Sequence, residues 1–130
     1  MKKLILCAAA AVISIGAAYA ADAPAAVRRV ELQSSAVPGS KYVAKVMRVE
    51  IDPNGKLDMH THPGDEVGVA VSGQLTLSVQ GQPDRVVKPG ESYLVKAGTP
   101  HAAHNAGTVG YVGVANYIVE SDKPLSTPVK

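Results

Sequence analysis

The chain has 130 residues, of which 46% are hydrophobic and 4% aromatic, with neither Trp nor Phe. Its 13 Lys and Arg exceed its 11 Asp and Glu by a net charge of +2, but Lys2 and Lys3 lie in an N-terminal segment that we expect to be removed. The remainder would be neutral, which leaves no basic field to hold nucleic acid or an anionic membrane surface.

The first 20 residues have the layout of a secretory signal peptide. A basic start precedes the apolar run 4–18, and Ala18-Tyr19-Ala20 fits the small-x-small pattern of a cleavage site. The run is too short to favour a membrane span; a lipoprotein attached through Cys7 and an uncleaved anchor are the alternatives. We therefore predict a periplasmic or secreted protein that begins at Ala21 and, after loss of Cys7, has no disulfide.

Residues 21–130 fit one domain. Residues 21–40 are expected to form an N-terminal leader and a first strand. From Tyr42 to Glu50, β-branched and apolar residues alternate with the others, which is typical of a strand. The sequence Asp52-Pro53-Asn54-Gly55 then predicts a turn.

Short strand patterns and turns continue along the chain. Strands are predicted at 67–72, 75–80 and 92–95, with turns at 81–84, 88–90 and 97–100, and an apolar run at 109–119. Residues 121–130, with Pro124 and Pro128, are predicted to be a C-terminal tail. No stretch has the pattern of an amphipathic helix of ten or more residues. Together these features predict an all-β sandwich or barrel.

Three of the four histidines fall into one pattern, His60-Thr61-His62 with Glu66 shortly after it and His101 beyond a later turn. His60 and His62 share a face of a strand because the side-chain period is two. The turn at 63–64 can bring Glu66 back towards them. For the His-x-His pair alone, two polar residues at a strand end are the alternative. The full set of three imidazoles and a carboxylate predicts a metal site suited to Fe, Mn, Ni, Cu or Zn.

The chain resembles the cupins, specifically the small single-domain type, in two motifs. The first stands here as Gly55, four residues, His60-Thr61-His62, three residues, Glu66, six residues and Gly73. The second stands as Gly90, five residues, Lys96-Ala97-Gly98, two residues, His101, three residues and Asn105. The first spacer is one residue shorter than is usual, and Lys96 replaces a Pro. The resemblance implies a single-domain jelly-roll or double-stranded β-helix barrel, residues 41–120, that holds a metal through His60, His62, Glu66 and His101 and forms a homodimer.

Some neighbours of this set allow two interpretations. Gly68, Ala70 and Ser72 share the parity of Glu66, and their small size indicates either space for a small molecule or close packing of the sheets. His104 has the opposite parity to His101, so we expect it at the surface or behind the ligands. Glu66 is also a candidate acid or base.

Other polar residues are assigned mostly to structure. Asp58 and Asp65 can either hydrogen-bond a ligand imidazole or be solvated turn carboxylates. We expect Tyr93 and Tyr117 to pack in the core, Lys96 to be solvated, and Asn105 to satisfy backbone groups at a turn.

Three functions remain open on the sequence. The first is an exported small-molecule metalloenzyme, dioxygenase-like or isomerase-like. The second is a non-catalytic binding module that holds a metal or a metal–ligand complex. The third is a barrel in which metal only stabilises the fold, since fold alone does not decide function. In each of the first two, the partner is a small molecule.

Overall fold

The computed structural model describes residues 26–130, so the predicted signal segment at residues 1–20 lies outside the described part of the chain. This part contains no helix, and hence none that is long and apolar enough to cross a membrane. Its strands are β1 (Val27–Ala36), β2 (Tyr42–Ile51), β3 (Lys56–Thr61), β4 (Gly64–Ser72), β5 (Leu75–Val79), β6 (Arg85–Val87), β7 (Ser92–Val95), β8 (His101–His104), β9 (Tyr111–Glu120) and β10 (Thr127–Pro128). The predicted all-β class is confirmed.

The strands form two sheets of five strands each, in the orders β1-β2-β9-β4-β7 and β10-β3-β8-β5-β6. All the strand pairs are antiparallel. From β2 onwards the chain crosses to the other sheet at every step except from β5 to β6. This connectivity is the predicted jelly roll, and it places strands that are distant in sequence next to each other.

The core lies between the two sheets and follows the period of two. In β9, the residues at odd positions from Tyr111 to Val119 are buried and those between them are exposed or half-buried. Apart from Tyr111, Tyr117 and Met47, the buried hydrophobic core is aliphatic: Val49, Ile51, Ala70, Leu75, Leu77, Val87, Val95, Ala103, Ala115 and Val119. Each fully buried Val, Leu or Ile contributes about 1.5–3 kcal/mol, which lets a core without Phe or Trp hold the barrel.

One asparagine closes an end of the barrel. Asn105 is 0% exposed, and its amide nitrogen donates to the carbonyls of Ile51 and Val109, each at 2.9 Å. Its side-chain oxygen accepts from the amide of Gly107 at 2.9 Å. The side chain therefore satisfies three backbone groups where loops meet.

Strand β1 is attached at the edge of its sheet. It pairs only with β2, and every residue in it after Val27 is exposed. Ion pairs join the two strands: Arg28 contacts Glu50 at 3.0 Å and Asp52 at 2.9 Å, and Lys45 contacts Glu31 at 2.6 Å. Backbone hydrogen bonds and surface charges, rather than burial, hold β1.

Candidate metal centre

The three histidines of the sequence pattern meet inside the barrel. His60 lies on β3 directly opposite His101, the first residue of β8, and His62 follows the end of β3. One side-chain nitrogen from each histidine lies within 4.8 Å of the corresponding nitrogens of the other two, and the ring centroids are 4.3–5.0 Å apart. Each histidine is at most 7% exposed. These three buried histidines could hold a metal ion.

Glu66 reaches the same cluster from β4. Its Oε2 lies 3.0 Å from His62 Nε2 and 3.1 Å from His101 Nε2, and the residue is 5% exposed. The carboxylate thus adjoins two of the three imidazoles. The turn after β3 returns the chain towards the histidines, as the sequence suggested.

The outer nitrogen of each ring contacts a backbone carbonyl. Nδ1 lies 2.6 Å from the oxygen of Asp58 for His60, 2.9 Å from that of Thr99 for His101, and 2.5 Å from that of Leu125 for His62. A carbonyl only accepts, so Nδ1 carries the proton in each ring. In a neutral ring the lone pair is then on Nε2, and this is the tautomer that ligates metal through Nε2.

This arrangement fits a cation. Neutral imidazole lone pairs would face a carboxylate oxygen at about 3 Å, which is repulsive without a proton or a metal between them. In the metal-free protein, His101 Nε2 can donate to Glu66 only as an imidazolium. His62 Nε2 is buried and, despite its distance from Oε2, has no partner at hydrogen-bonding geometry. Three imidazoles and a carboxylate suit a divalent transition metal.

The second oxygen of Glu66 is held by two tyrosines. The hydroxyls of Tyr93 and Tyr117 donate to Oε1 at 2.9 and 3.3 Å. Burial raises the pKa of Glu66, but the adjacent His101 and His62 rings and the hydrogen bond from Tyr93 outweigh it and bring the pKa well below its usual value. Burial and the neighbouring Glu66 charge both raise the pKa of each tyrosine, so both stay protonated donors.

Gly68 makes room for one of these tyrosines. It lies opposite Tyr93 in the β4–β7 ladder, and a Cβ on Gly68 would be 2.0 Å from Tyr93 Cζ. Of the two interpretations that the sequence left open at Gly68, free space for a small molecule is not observed, and Tyr93 comes from the neighbouring strand of the same sheet rather than from the opposite sheet. The space is filled by the tyrosine ring.

The remaining neighbours have structural contacts. His104 is half-buried and lies opposite Lys56 and Thr76, apart from the three clustered histidines. The Asp65 carboxylate accepts from the amide of Ala97 and from Lys96 Nζ, both at 2.9 Å, instead of from an imidazole. Lys96, expected to be solvated, is thus paired although its side chain is 68% exposed.

Sequence reasoning missed several supporting groups. Asp58 supports His60 through its backbone carbonyl, not through the carboxylate that was considered. The Leu125 carbonyl behind His62 was not foreseen, nor were the hydroxyl contacts of Tyr93 and Tyr117 with Glu66. The one available signal for the tyrosine contact was that Gly68 lies on the same face of the strand as Glu66. A glycine beside the carboxylate leaves room for a large side chain from a neighbouring strand.

A cavity of about 420 Å³ opens beside His62, which is the only one of the four predicted ligands in its lining. Its walls come from the turn after β3, the turn before β8, the end of β9 and the C-terminal segment, including Thr61, Gly98, Glu120 and Thr127. The volume suits a small molecule.

Comparison with known proteins gives consistent matches. A family model described as the cupin domain matches residues 47–112. The chain is 30% identical over 121 residues to oxalate oxidase 2 of Hordeum vulgare and to oxalate oxidase GF-2.8 of Triticum aestivum, covering 76% of this chain and 54% of each relative. The chain thus spans about half the length of these curated relatives.

Solved structures agree. An oxalate oxidase in complex with the substrate analogue glycolate superposes with a TM-score of 0.65 at 25% identity, over 82% of this chain and 57% of the other. A DMSP lyase from Ruegeria pomeroyi superposes with a TM-score of 0.68 at 17% identity, over 79% and 51%, which shows likeness of fold alone.

Proposed function

We propose that this chain, which belongs to the cupin domain family, is an exported metalloenzyme that acts on a small chelating carboxylate or enediol. The metal would be held by His60, His62, His101 and Glu66. The reaction class is oxidation, dioxygenase-like or oxidase-like, or isomerisation. The observation that carries the proposal is the buried cluster of three imidazoles, two of which have Nε2 at about 3 Å from one oxygen of the Glu66 carboxylate.

The ligand set suits Fe(II), Mn(II), Ni(II), Cu(II) or Zn(II). Such a metal supplies Lewis acidity and, if redox-active, a site for dioxygen. The chain supplies the geometry. Tyr93 and Tyr117 hold Glu66 Oε1, which leaves Oε2 directed at the imidazoles. Glu66 would be the group to accept a proton from a bound substrate.

Two observations support the substrate class. The relatives named above are oxalate oxidases, and one solved structure contains glycolate, a small two-carbon acid. The cavity beside His62 has a size suited to such a molecule, and Thr61 and Thr127 are among its lining residues.

Metal content and turnover test this proposal. Elemental analysis of protein purified from its native compartment should find one divalent metal per chain. Fe- or Mn-loaded protein under air should then consume oxalate, enediol or phenol substrates. Oxygen uptake and product analysis measure this consumption. Inertness with every metal and substrate would count against the enzyme.

Ligand variants provide the control. His60→Ala and His101→Ala should each lower metal occupancy strongly, while His104→Ala should leave it near the wild-type level because His104 lies outside the cluster. Equal losses in all three variants would show that the fourth histidine has been misassigned.

The second candidate is a binding module without chemistry. Within residues 26–130, the polar side chains other than imidazoles that contact Glu66 are those of Tyr93 and Tyr117. Both tyrosines have a raised pKa, so neither provides a second base near neutral pH, and this favours binding without chemistry. Tight binding of a small carboxylate to the metal-loaded protein without any product would support it.

We further propose that the protein is a homodimer. The outer face of the sheet β1-β2-β9-β4-β7 carries large exposed apolar side chains, namely Val67, Val69, Val71, Leu94 and Ile118. Such patches mark interaction surfaces. Sedimentation should report a dimer that Val69→Lys disrupts, while Val86→Lys, on the other sheet, should not. A wild-type monomer would refute this.

Export and processing complete the proposal. We infer removal of residues 1–20, a leader and first strand at 21–40, the cupin domain at 41–120 and a tail at 121–130. N-terminal sequencing of protein from the periplasm or medium should begin at Ala21. Protein that keeps its first residues and stays with the membrane would contradict this.

A further inference from the structure

The C-terminal segment is built into the candidate metal centre. We call residues 124–129 the strap. Thr127 and Pro128 pair with Thr61 and His60 of β3, so that β10 is the edge strand beside the ligand-bearing strand. The amide of Val129 donates to the Met59 carbonyl at 3.0 Å. The strap therefore runs antiparallel along β3.

The strap also supplies the group behind His62. The Leu125 carbonyl accepts the Nδ1 proton of His62 at 2.5 Å across 63 positions of sequence. The Leu125 side chain is half-buried and packs against the core. This apolar contact anchors the carbonyl that faces the ring.

The other two histidines are supported differently. His60 and His101 each use the carbonyl two residues earlier, at Asp58 and Thr99. Each of those carbonyls is only two residues away along the chain, at Asp58 within β3 and at Thr99 in the turn before β8. His62 instead depends on a segment 63 positions away in sequence, whose strand β10 lies at the edge of its sheet.

Little holds the strap in place. Apart from Leu125 and Ser126, its residues are exposed, and β10 has two residues, one of them a proline without an amide proton. Segments with few buried contacts open at low free energy. The inner nitrogen of His62 has no hydrogen-bond partner, so Nδ1 carries the polar restraint on this ring.

We propose that docking of the strap on β3 positions His62 for metal binding, so that strap docking and metal binding stabilise each other. This rests on the proposed metal centre. Without the Leu125 carbonyl, the ring is free to carry its proton on Nε2, the atom that faces Glu66, and that tautomer cannot ligate through Nε2. Because coupling is reciprocal, bound metal should in turn hold the strap down.

Truncation tests the positioning role in the metal-free protein. One variant ends at Pro124 and lacks the carbonyl; a second ends at Ser126, keeping Leu125 but losing β10; the control lacks only Lys130. Imidazole nitrogen NMR should find a proton on Nδ1 of all three clustered histidines in the intact protein. Ending at Pro124 should shift His62 alone towards Nε2–H. A His62 signal unchanged by truncation would overturn the proposal.

Zn²⁺ affinity, measured by chelator competition, tests the coupling. Loss of a hydrogen-bond partner behind a ligand typically costs 10–100-fold in affinity, and we expect this for the variant ending at Pro124, a smaller loss for the one ending at Ser126, and none for the control. In a His62→Ala background, truncation should have no further effect. An equal loss in that background would show a merely structural role and overturn the coupling.

Carboxypeptidase digestion gives the reciprocal measurement. Zn²⁺ should slow removal of the last residues from the wild type but not from His62→Ala, and equal rates with and without Zn²⁺ in the wild type would refute the coupling. If the intact protein binds no Zn²⁺ or Co²⁺, the proposed metal centre is wrong, while the NMR result still decides whether the strap positions His62. If the variant ending at Pro124 does not fold, the Zn²⁺ affinity and the carboxypeptidase digestion of the variant ending at Ser126 test the coupling instead.

Discussion

Gly68→Ala should displace the tyrosine that holds Glu66. The added Cβ would lie 2.0 Å from Cζ and 2.4 Å from the hydroxyl oxygen of Tyr93. Carbon atoms pack at about 3.5 Å, so the ring must move by roughly 1.5 Å. A hydrogen bond of 2.9 Å to Glu66 does not survive such a shift.

Two costs follow from this movement. Overpacking a core site costs about 1–3 kcal/mol. Losing a hydrogen bond to a charged group costs about 1.5–3 kcal/mol. We therefore expect Gly68→Ala to lower the free energy of unfolding by roughly 3–5 kcal/mol, a large part of the stability of a small domain. Zn²⁺ affinity should fall as well, because Glu66 loses a restraint.

Urea denaturation of the metal-free protein measures the effect. With a slope of about 1–3 kcal/mol per molar urea, the midpoint should fall by about 1 M or more. Gly110→Ala is the matched control, since the nearest atom to its added Cβ lies 3.9 Å away; its change should stay within about 0.5 kcal/mol. In a Tyr93→Leu background the cost of Gly68→Ala should largely disappear. A wild-type midpoint for Gly68→Ala would refute the reasoning.

Three further predictions concern other parts of the chain. Asn105→Ala leaves three backbone groups without partners and should cost about 2–4 kcal/mol, seen as a clear drop in Tm; an unchanged Tm would contradict the hydrogen bonds described. The metal should stay bound at neutral pH, since burial lowers the pKa of His60, and leave as the solution is acidified to about pH 5–6 or just below; stoichiometric metal after dialysis at pH 4 would oppose this. Hydrogen bonds from Lys96 and the Ala97 amide lower the pKa of Asp65, so its contribution to stability is present above about pH 4 and lost as pH falls through its folded-state pKa. Asp65→Asn should therefore flatten the acid side of the curve of urea midpoint against pH, and an identical curve would show that this carboxylate does not contribute.

The fold and the histidine cluster were predictable because both follow from short-range patterns. Alternation marked β2, β4 and β5, and Gly and Pro marked the turns between them. His60 and His62 had to share a face of β3 once that strand was recognised. His101 could be added because a second motif places it after a turn.

The supporting contacts were not predictable because they depend on register and on backbone atoms. Tyr93 meets Gly68 only through the particular pairing of β4 with β7. A tyrosine in a strand is apolar by pattern, and its sequence position does not show where the hydroxyl will point. Every residue has a backbone carbonyl, so the residue type at position 125 does not indicate a contact with His62. Strand β10 has two residues and is too short to show alternation.

The edge position of β1 has a consequence for handling the protein. The ion pairs that join β1 to β2 are exposed. The distance over which salt screens their attraction shortens from about 8 Å at physiological ionic strength to about 3 Å at 1 M salt. Concentrated salt should therefore favour peeling of this strand, which would bare the hydrogen-bonding groups along one side of β2. Such a bare edge is a template for strand exchange between molecules. Low-salt buffers should keep preparations free of swapped species.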